Sequence, residues 1–244
     1  MRLLSYNIHK GIGGRDRAYR LERVIDVIRH EQPDVLCLQE VDRNVKRSAF
    51  DDQPKLLAQR LELEASAYQF NHRVADGGYG NLVLSRWPIV KRHNVSLRHK
   101  TRKNRRAQIV VIETGQGPLR LVNWHLGLGE KERHWQVRKL LGHGRFCEYD
   151  GLPTLIAGDT NDWRNTLHDG PFAEHKLVHA TAPPSRFRSF PAYMPVGSLD
   201  KLFHCGRVVV HRAHIVRTAL SRKASDHLPL LVEFDLKAGV ETKT

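Results

Sequence analysis

The sequence predicts a single α/β domain in which two stacked sheets are flanked by helices. Three observations support this fold class: short apolar segments with strand-like patterns are numerous, helical patterns are few, and no linker, repeat or low-complexity tract divides the 244 residues. We expect the domain to span residues 1–236. Residues 237–244 are mostly polar, and we expect them to form a frayed C-terminal tail.

The N-terminal part of the chain alternates between predicted strands and helices. Residues 2–8 alternate as a strand does, and residues 19–31 carry apolar side chains at the spacing of an amphipathic helix. A short apolar strand follows over 35–38 and is expected to end at Glu40. Pro54, which comes after two aspartates, indicates the start of a second helix.

The rest of the chain is predicted to be mainly strands. A charged amphipathic helix is expected over 130–141. Strands are expected over 81–85, in a hairpin of 107–113 and 119–126, in a buried segment over 154–157, and near 198–203, 207–210 and 228–234.

Composition excludes several classes of protein. No stretch approaches the ~18 apolar residues of a transmembrane helix, and the first residues do not have the pattern of a signal peptide, so we expect a cytoplasmic protein. Three widely separated cysteines without a CxxC pair argue against a disulfide framework or a structural zinc site.

Positive charge is the most informative feature of the composition. Lys and Arg number 40 against 26 Asp and Glu, which gives a formal net charge of +14. Two segments contain no acidic residue, between Asp76 and Glu113 and between Asp200 and Asp226. Such basic segments attract polyanions, so we expect a phosphate-rich partner, either nucleic acid or an anionic phospholipid surface in peripheral contact.

Polar side chains recur where predicted strands end or begin. A rigid scaffold often carries functional groups on loops at the ends of its core strands, where they converge. Any one of these residues could simply cap a turn, but their repetition favours a shared site. The residues are Asn7, Glu40, His125, Asp159, Asn161, Asp226 and His227.

This set of residue types is suited to phosphoester chemistry. Carboxylate and carboxamide oxygens, as in Glu40 and Asn7, are hard ligands that suit Mg²⁺ or Mn²⁺ better than zinc. The histidines lack the spacing of a zinc site. Histidines beside carboxylates can transfer protons and stabilise phosphoryl charge, which together with a hard cation describes metal-assisted hydrolysis.

Six motifs in order over roughly residues 1–236 resemble the endonuclease/exonuclease/phosphatase superfamily, which includes DNase I-like enzymes. The resemblance implies a four-layer α/β/β/α sandwich with two packed, mostly antiparallel sheets and a site at one edge. The motifs are Ser5-Tyr6-Asn7-Ile8-His9, Leu38-Gln39-Glu40-Val41, Asn123-Trp124-His125-Leu126, Gly158-Asp159-Thr160-Asn161-Asp162, Ser198-Leu199-Asp200 and Ser225-Asp226-His227-Leu228-Pro229.

The resemblance also implies a metal site. Glu40 would be the main Mg²⁺ ligand with Asn7 beside it, and Asp226 would complete the metal environment or orient its neighbours. Asp159 would orient or deprotonate the attacking water, and Asn161 would hold a phosphate oxygen. Whether one or two metal ions act stays open.

The remaining implied roles concern charge and substrate. His227, kept in its tautomer by Asp200, would stabilise transition-state charge, and His125 would contact the phosphate or assist the leaving oxygen. We also assign three residues to phosphate or substrate binding: Asn81, in a strand resembling a family motif, and Arg105 and Arg106, in the first acid-free segment.

Three functions are compatible with these residues. The first is a Mg²⁺-dependent phosphodiesterase of the endonuclease or exonuclease type. The second is an enzyme acting on a phospholipid or a phosphorylated head group, as sphingomyelinases and lipid-remodelling relatives do. The third is a non-catalytic phosphate-binding module, which the complete set of candidate catalytic residues disfavours.

Overall fold

Two six-stranded sheets pack face to face in the computed structural model. It describes residues 1–63, 65–74, 76–175, 177–205 and 207–237; the predicted tail beyond Lys237 lies outside the described residues. The strands are β1 (Arg2–Asn7), β2 (Val35–Arg43), β3 (Ala65–Val74), β4 (Gly77–Ser85), β5 (Ile89–Ser96), β6 (Arg106–Thr114), β7 (Gly117–His125), β8 (Thr154–Asp159), β9 (Val178–His179), β10 (Asp200–His204), β11 (Val208–Ile215) and β12 (Leu230–Leu236).

Helices cover the outer faces of the sheets. The helices are α1 (Leu21–Glu31), α2 (Gln53–Leu61), α3 (Glu130–Leu141), α4 (Gly144–Cys147) and α5 (Ser221–Ala224). The apolar faces of α1 and α2 pack on the first sheet, while α3 packs on the second. No helix in the described part of the chain is long and apolar enough to cross a membrane.

The strand order confirms the predicted four-layer α/β sandwich. The first sheet runs β11-β12-β1-β2-β4-β3 and the second runs β5-β6-β7-β8-β10-β9. Only β1–β2 and β7–β8 are parallel among the described pairs, and the other neighbours are antiparallel. Alternating apolar side chains from both sheets, such as Leu3, Val83 and Leu121, fill the space between them.

The structure differs from the predicted elements in three edge strands and in β2. β3, β5 and the two-residue β9 were not predicted, and in β3 and β5 exposed polar side chains obscure the alternation of a strand. β2 does not end at Glu40 but continues to Arg43. Its pairing with β4 shifts between Leu38 and Val41, so Glu40 lies in a β-bulge with a φ of 56°.

Strand pairing brings distant parts of the chain to one end of the sandwich. His125, the last residue of β7, pairs with Asp159 at the end of β8, and Asp159 pairs with Asp200 at the start of β10. In the other sheet Asn7 ends β1 beside β2. These neighbouring strand ends define the place where a site can form.

A buried polar layer joins the two sheets beneath this end. The Gln39 amide donates to Asn123 Oδ1 at 2.8 Å, and Asn123 Nδ2 donates to the carbonyls of Leu38 and Leu82 at 3.0 and 3.1 Å. Because buried polar groups are costly unless paired, this layer fixes how the sheets align.

Candidate active site

Asp159 lies at the centre of the predicted residues. Its Oδ2 accepts a hydrogen bond from Asn7 Nδ2 at 3.0 Å and lies 3.3 Å from His125 Nε2 and 3.6 Å from His227 Nε2. Its Oδ1 accepts from the backbone N–H of Asn161 at 2.9 Å. Burial raises the pKa of Asp159 to about 6, although His227 opposes the rise, so this carboxylate can exchange a proton near neutral pH.

His227 and Asp200 form a buried pair beside Asp159. His227 Nδ1 lies 2.8 Å from Asp200 Oδ2, which also accepts from the Ser189 hydroxyl at 2.5 Å. Burial alone would lower the pKa of His227, but Asp200 and Asp159 outweigh it and raise that pKa to about 10. The imidazole is therefore a cation that presents Nε2 to the centre.

Glu40 faces the same centre from the first sheet. The β-bulge places its carboxylate against the Lys10 ammonium, and its Oε1 lies 3.8 Å from His125 Nδ1. Burial would raise the pKa of Glu40, but the charge of Lys10 holds it well below its usual range. Glu40 is therefore held as an anion.

His125 and Arg105 add nitrogen donors to this centre. Burial, followed by the nearby charge of Arg105, lowers the pKa of His125 well below its ordinary value. Arg105 is 4% exposed, and its Nε and Nη1 have no hydrogen-bond partner among the described residues. A buried guanidinium with free donors is suited to receiving an anion.

A buried lysine forms hydrogen bonds to the loop after β8. Lys201 is 1% exposed, and its Nζ donates to the carbonyls of Asp162 and Ser198 at 3.0 and 2.6 Å and to Asn165 Oδ1 at 2.9 Å. In this loop Asn161 has a φ of 50° and donates from Nδ2 to the Leu126 carbonyl at 3.0 Å. Lys201 thereby positions the backbone that carries Asn161.

Asp226 lies at the margin of the centre. Its Oδ2 is 3.8 Å from His9 Nε2, and the Ser225 hydroxyl lies 3.4 Å from Oδ1. The side chain is 28% exposed, and Gly14 packs against it. Asp226 therefore faces the loop after β1.

The other two predicted substrate residues differ in their surroundings: Asn81 lies in β4 opposite the bulge of β2 that carries Glu40, whereas Arg106 is exposed. Asn81 is fully buried, where it accepts from Asn71 Nδ2 at 2.9 Å and donates to the Arg106 carbonyl at 3.4 Å. Arg106 is exposed and lines a depression with Arg73 and Asn104 between the edge strands β3 and β5. The structure thus separates Arg106 from Arg105, its neighbour in sequence.

Sequence reasoning missed two residues of the centre. Lys10 has a φ of 64° in the turn after β1, and this turn directs its ammonium to Glu40. Ser189 lies in a long proline-flanked loop and donates to Asp200. The only signal for Lys10 is its place directly after the first motif, and Ser189 carries none.

The donor chemistry fits a hard divalent cation. Glu40 offers carboxylate oxygens, Asn7 Oδ1 faces the same end while accepting from the His9 N–H at 3.1 Å, and the Lys10 ammonium already provides one positive charge against Glu40. In the described ranges no three His, Cys, Asp or Glu side chains form a metal-binding group. Mg²⁺ suits such a site because it is usually held by one or two carboxylates, water and substrate phosphate.

Comparisons with known proteins find a family match over most of the chain. The family model described as "Endonuclease/Exonuclease/phosphatase family" matches residues 4–227. Uncharacterized protein YbhP of Escherichia coli (strain K12) is 30% identical over 251 residues, covering 96% of each chain.

Solved structures share the fold. An endonuclease/exonuclease/phosphatase from Beutenbergia cavernae has a TM-score of 0.82 at 23% identity, covering 98% of this chain and 72% of that one. The mannosyl-6-phosphatase Bt3783 of Bacteroides thetaiotaomicron has a TM-score of 0.73 at 18% identity, covering 97% and 100%. The family match over nearly the whole chain shows that the chain belongs to the endonuclease/exonuclease/phosphatase family.

Proposed function

We propose that the protein is a Mg²⁺-dependent phosphoesterase that hydrolyses a phosphodiester by in-line attack of water. Enzymes of this family are hydrolases of phosphoester bonds and generally use divalent metals. The observation that carries the proposal is the convergence of Asn7, Glu40, Asp159 and the His227–Asp200 pair at one end of the sandwich. Mn²⁺ could replace Mg²⁺ at a site of oxygen ligands.

Glu40 and Asn7 would hold the ion, with Asp226 at the margin. When bound, a divalent ion polarises a phosphoryl oxygen and neutralises its charge. The Lys10 ammonium contacts Oε2 of the same carboxylate, so it would compete with an ion for Glu40.

Asp159 is the proposed base that orients water and takes its proton. Its carboxylate is fixed on three sides by Asn7, His125 and the backbone of Asn161. A pKa of about 6 keeps it ionised at neutral pH while leaving it basic enough to accept a proton.

Nitrogen donors would stabilise the negative charge on the reacting phosphate. The His227 imidazolium is preformed, because Asp200 holds both its tautomer and its charge. Arg105 offers free donors, the neutral His125 lies near its charge, and Asn161 is placed to hold a phosphate oxygen. Preformed donors lose little free energy in reorganisation when charge develops on the phosphate.

Nucleic acid and anionic phospholipid are the candidate substrates, since the net charge of +14 attracts either polyanion. For nucleic acid, binding should weaken steeply with salt, with log K falling by ~0.9 for each neutralised duplex phosphate per decade of salt. Failure to cleave plasmid or abasic DNA at any salt concentration would exclude nucleic acid as the substrate.

The reaction itself is tested with a small chromogenic phosphodiester. After chelation, the rate should return with added Mg²⁺ or Mn²⁺, and Glu40→Ala and Asp159→Ala should each abolish it while leaving the circular dichroism spectrum unchanged. Glu113→Ala, at an exposed glutamate on β6, is the matched control. Unchanged activity in both active-site variants would refute the proposal, and inactivity of the wild type on every phosphoester would favour a binding module.

A further inference from the structure

Large apolar side chains are exposed unevenly over the surface. Nine such residues are exposed in the described part of the chain. Five of them lie on three loops beside the candidate active site, and we call these five the apolar rim. The apolar rim consists of Leu128, 74% exposed, Trp163, 50%, Tyr193, 49%, Met194, 61%, and Val196, 56%.

The first two rim residues follow the catalytic strands directly. Leu128 lies three residues after His125, on the loop between β7 and α3, and Trp163 lies two residues after Asn161. The Trp163 ring packs edge-on to Phe190, with ring centres 5.8 Å apart, and Phe190 lies 4.8 Å from the His227 ring. Trp163 is therefore part of a wall that continues into the centre.

The other three rim residues belong to the loop that covers His227. The Ala192 N–H donates to the Asp226 carbonyl at 2.7 Å, which attaches this loop to the segment before β12. Tyr193, Met194 and Val196 then project from it. Gly197 leaves room for the Trp163 ring, which a β-carbon there would meet, so the loops of the rim pack against each other.

Basic residues lie beside the apolar rim. Arg164 follows Trp163, is 81% exposed and lies 3.8 Å from the Glu130 carboxylate. The guanidinium of Arg222 donates to the Tyr193 carbonyl at 3.3 Å. Exposed Arg188 and Lys223 belong to the adjoining segments. A surface with both apolar tips and positive charge is complementary to the interface of an anionic bilayer.

We propose that the apolar rim inserts into an anionic phospholipid surface and so presents the phosphodiester of a lipid head group to the active site. This inference rests on the proposed function and names its substrate class. Leu128, Met194 and Val196 have no stacking face for a nucleobase, and protein–nucleic acid interfaces are polar. Aliphatic tips flanked by Trp and Tyr instead match the boundary between lipid head groups and acyl chains.

The experiment is vesicle flotation of the full-length protein. Wild type should float with vesicles that contain phosphatidylglycerol and bind pure phosphatidylcholine much more weakly, since about fivefold in affinity is expected per basic side chain engaged. The variant Leu128→Ser with Met194→Ser should lose about tenfold per side chain replaced. The matched control is Val90→Ser with Val178→Ser, whose side chains lie on β5 and β9 and are 51% and 49% exposed.

Three results would overturn the proposal. The first is no flotation of the wild type with anionic vesicles at low salt. The second is equal flotation of the rim variant and the Val90 and Val178 control. The third is loss of single-stranded DNA binding by the rim variant while its vesicle binding is kept, which would assign the rim to nucleic acid.

Failure of docking and failure of the proposed chemistry are separable. Glu40→Ala should float as the wild type does, because Glu40 is not in the apolar rim, yet lose turnover of the small phosphodiester. The rim variant should keep that turnover and lose activity on vesicle lipids. Flotation with full turnover by Glu40→Ala would refute the chemistry but leave docking intact.

Discussion

Replacing Asp200 with asparagine tests the charge of the His227 imidazole. The substitution keeps the shape of the side chain but removes the negative charge 2.8 Å from His227 Nδ1. The pKa of His227 is raised to about 10 from an ordinary 6.5, which at about 1.4 kcal/mol per pH unit corresponds to about 5 kcal/mol. Since Asp200 is the largest favourable influence and burial opposes it, we expect Asp200→Asn to lower that pKa by about 3 pH units.

The loss of charge has a consequence that depends on pH. At pH 8 the variant imidazole is neutral and cannot stabilise phosphoryl charge as a cation, so we expect the rate to fall by about 100-fold or more. At pH 6 the imidazole regains its proton and the defect should shrink. The assay is an NMR titration of His227 together with the rate–pH profile of the small phosphodiester.

The free energy of unfolding should also fall in Asp200→Asn, because the variant loses the ion pair with His227. Because the folded-state pKa of His227 is raised, the pair stabilises the fold fully below about pH 6.5, and this contribution is lost as the pH rises through about 10. Ser189→Ala is the control, since it removes a donor to Asp200 without removing its charge. A His227 pKa within about one unit of wild type in Asp200→Asn, with parallel rate profiles, would refute this reasoning.

Three further substitutions follow from the same contacts. Asp159→Asn should remove the fall in rate that the wild type shows below about pH 6 and lower the rate by about 10²–10⁴, as a rate–pH profile will show; an unchanged acid limb would exclude Asp159 as the base. Lys201→Met should lower the free energy of unfolding in urea by about 3 kcal/mol, because the carbonyls of Asp162 and Ser198 lose a buried donor, and a loss below about 1 kcal/mol would contradict that role. Gly158→Ala should destabilise the fold by about 2–3 kcal/mol in thermal unfolding, because its φ is +139° and a β-carbon would meet the Trp124 carbonyl; an unchanged melting temperature would be inconsistent with the close packing of β7 and β8.

The sequence predicts the layers of this fold because the pattern that defines them is local. Apolar alternation in segments such as β1 and β8 reports burial of a strand face, and the helix α3 appears at its expected bounds. The sequence does not predict β3 and β5, because an edge strand is half exposed and its mixed composition resembles that of a loop.

The sequence predicts those site residues that lie at the ends of strands. Asn7, His125 and Asp159 end their strands as expected, and parallel pairing places strand ends together. The Glu40 bulge is not predictable, because it depends on the register between β2 and β4. Arg105 and Arg106 differ in burial because neighbouring residues at the start of a strand point to opposite faces, but which of the two faces the centre depends on the packing of the second sheet.

The most direct measurement of the central claim is the position of a bound ion. Crystals grown with Mn²⁺ and inorganic phosphate should show an anomalous peak within about 2.1–2.3 Å of a Glu40 oxygen, with Asn7 Oδ1 on the same ion. The phosphate should contact His227 Nε2, and the Lys10 ammonium should have moved off Glu40. A peak remote from Glu40, or phosphate bound only at the exposed basic surface, would contradict the account.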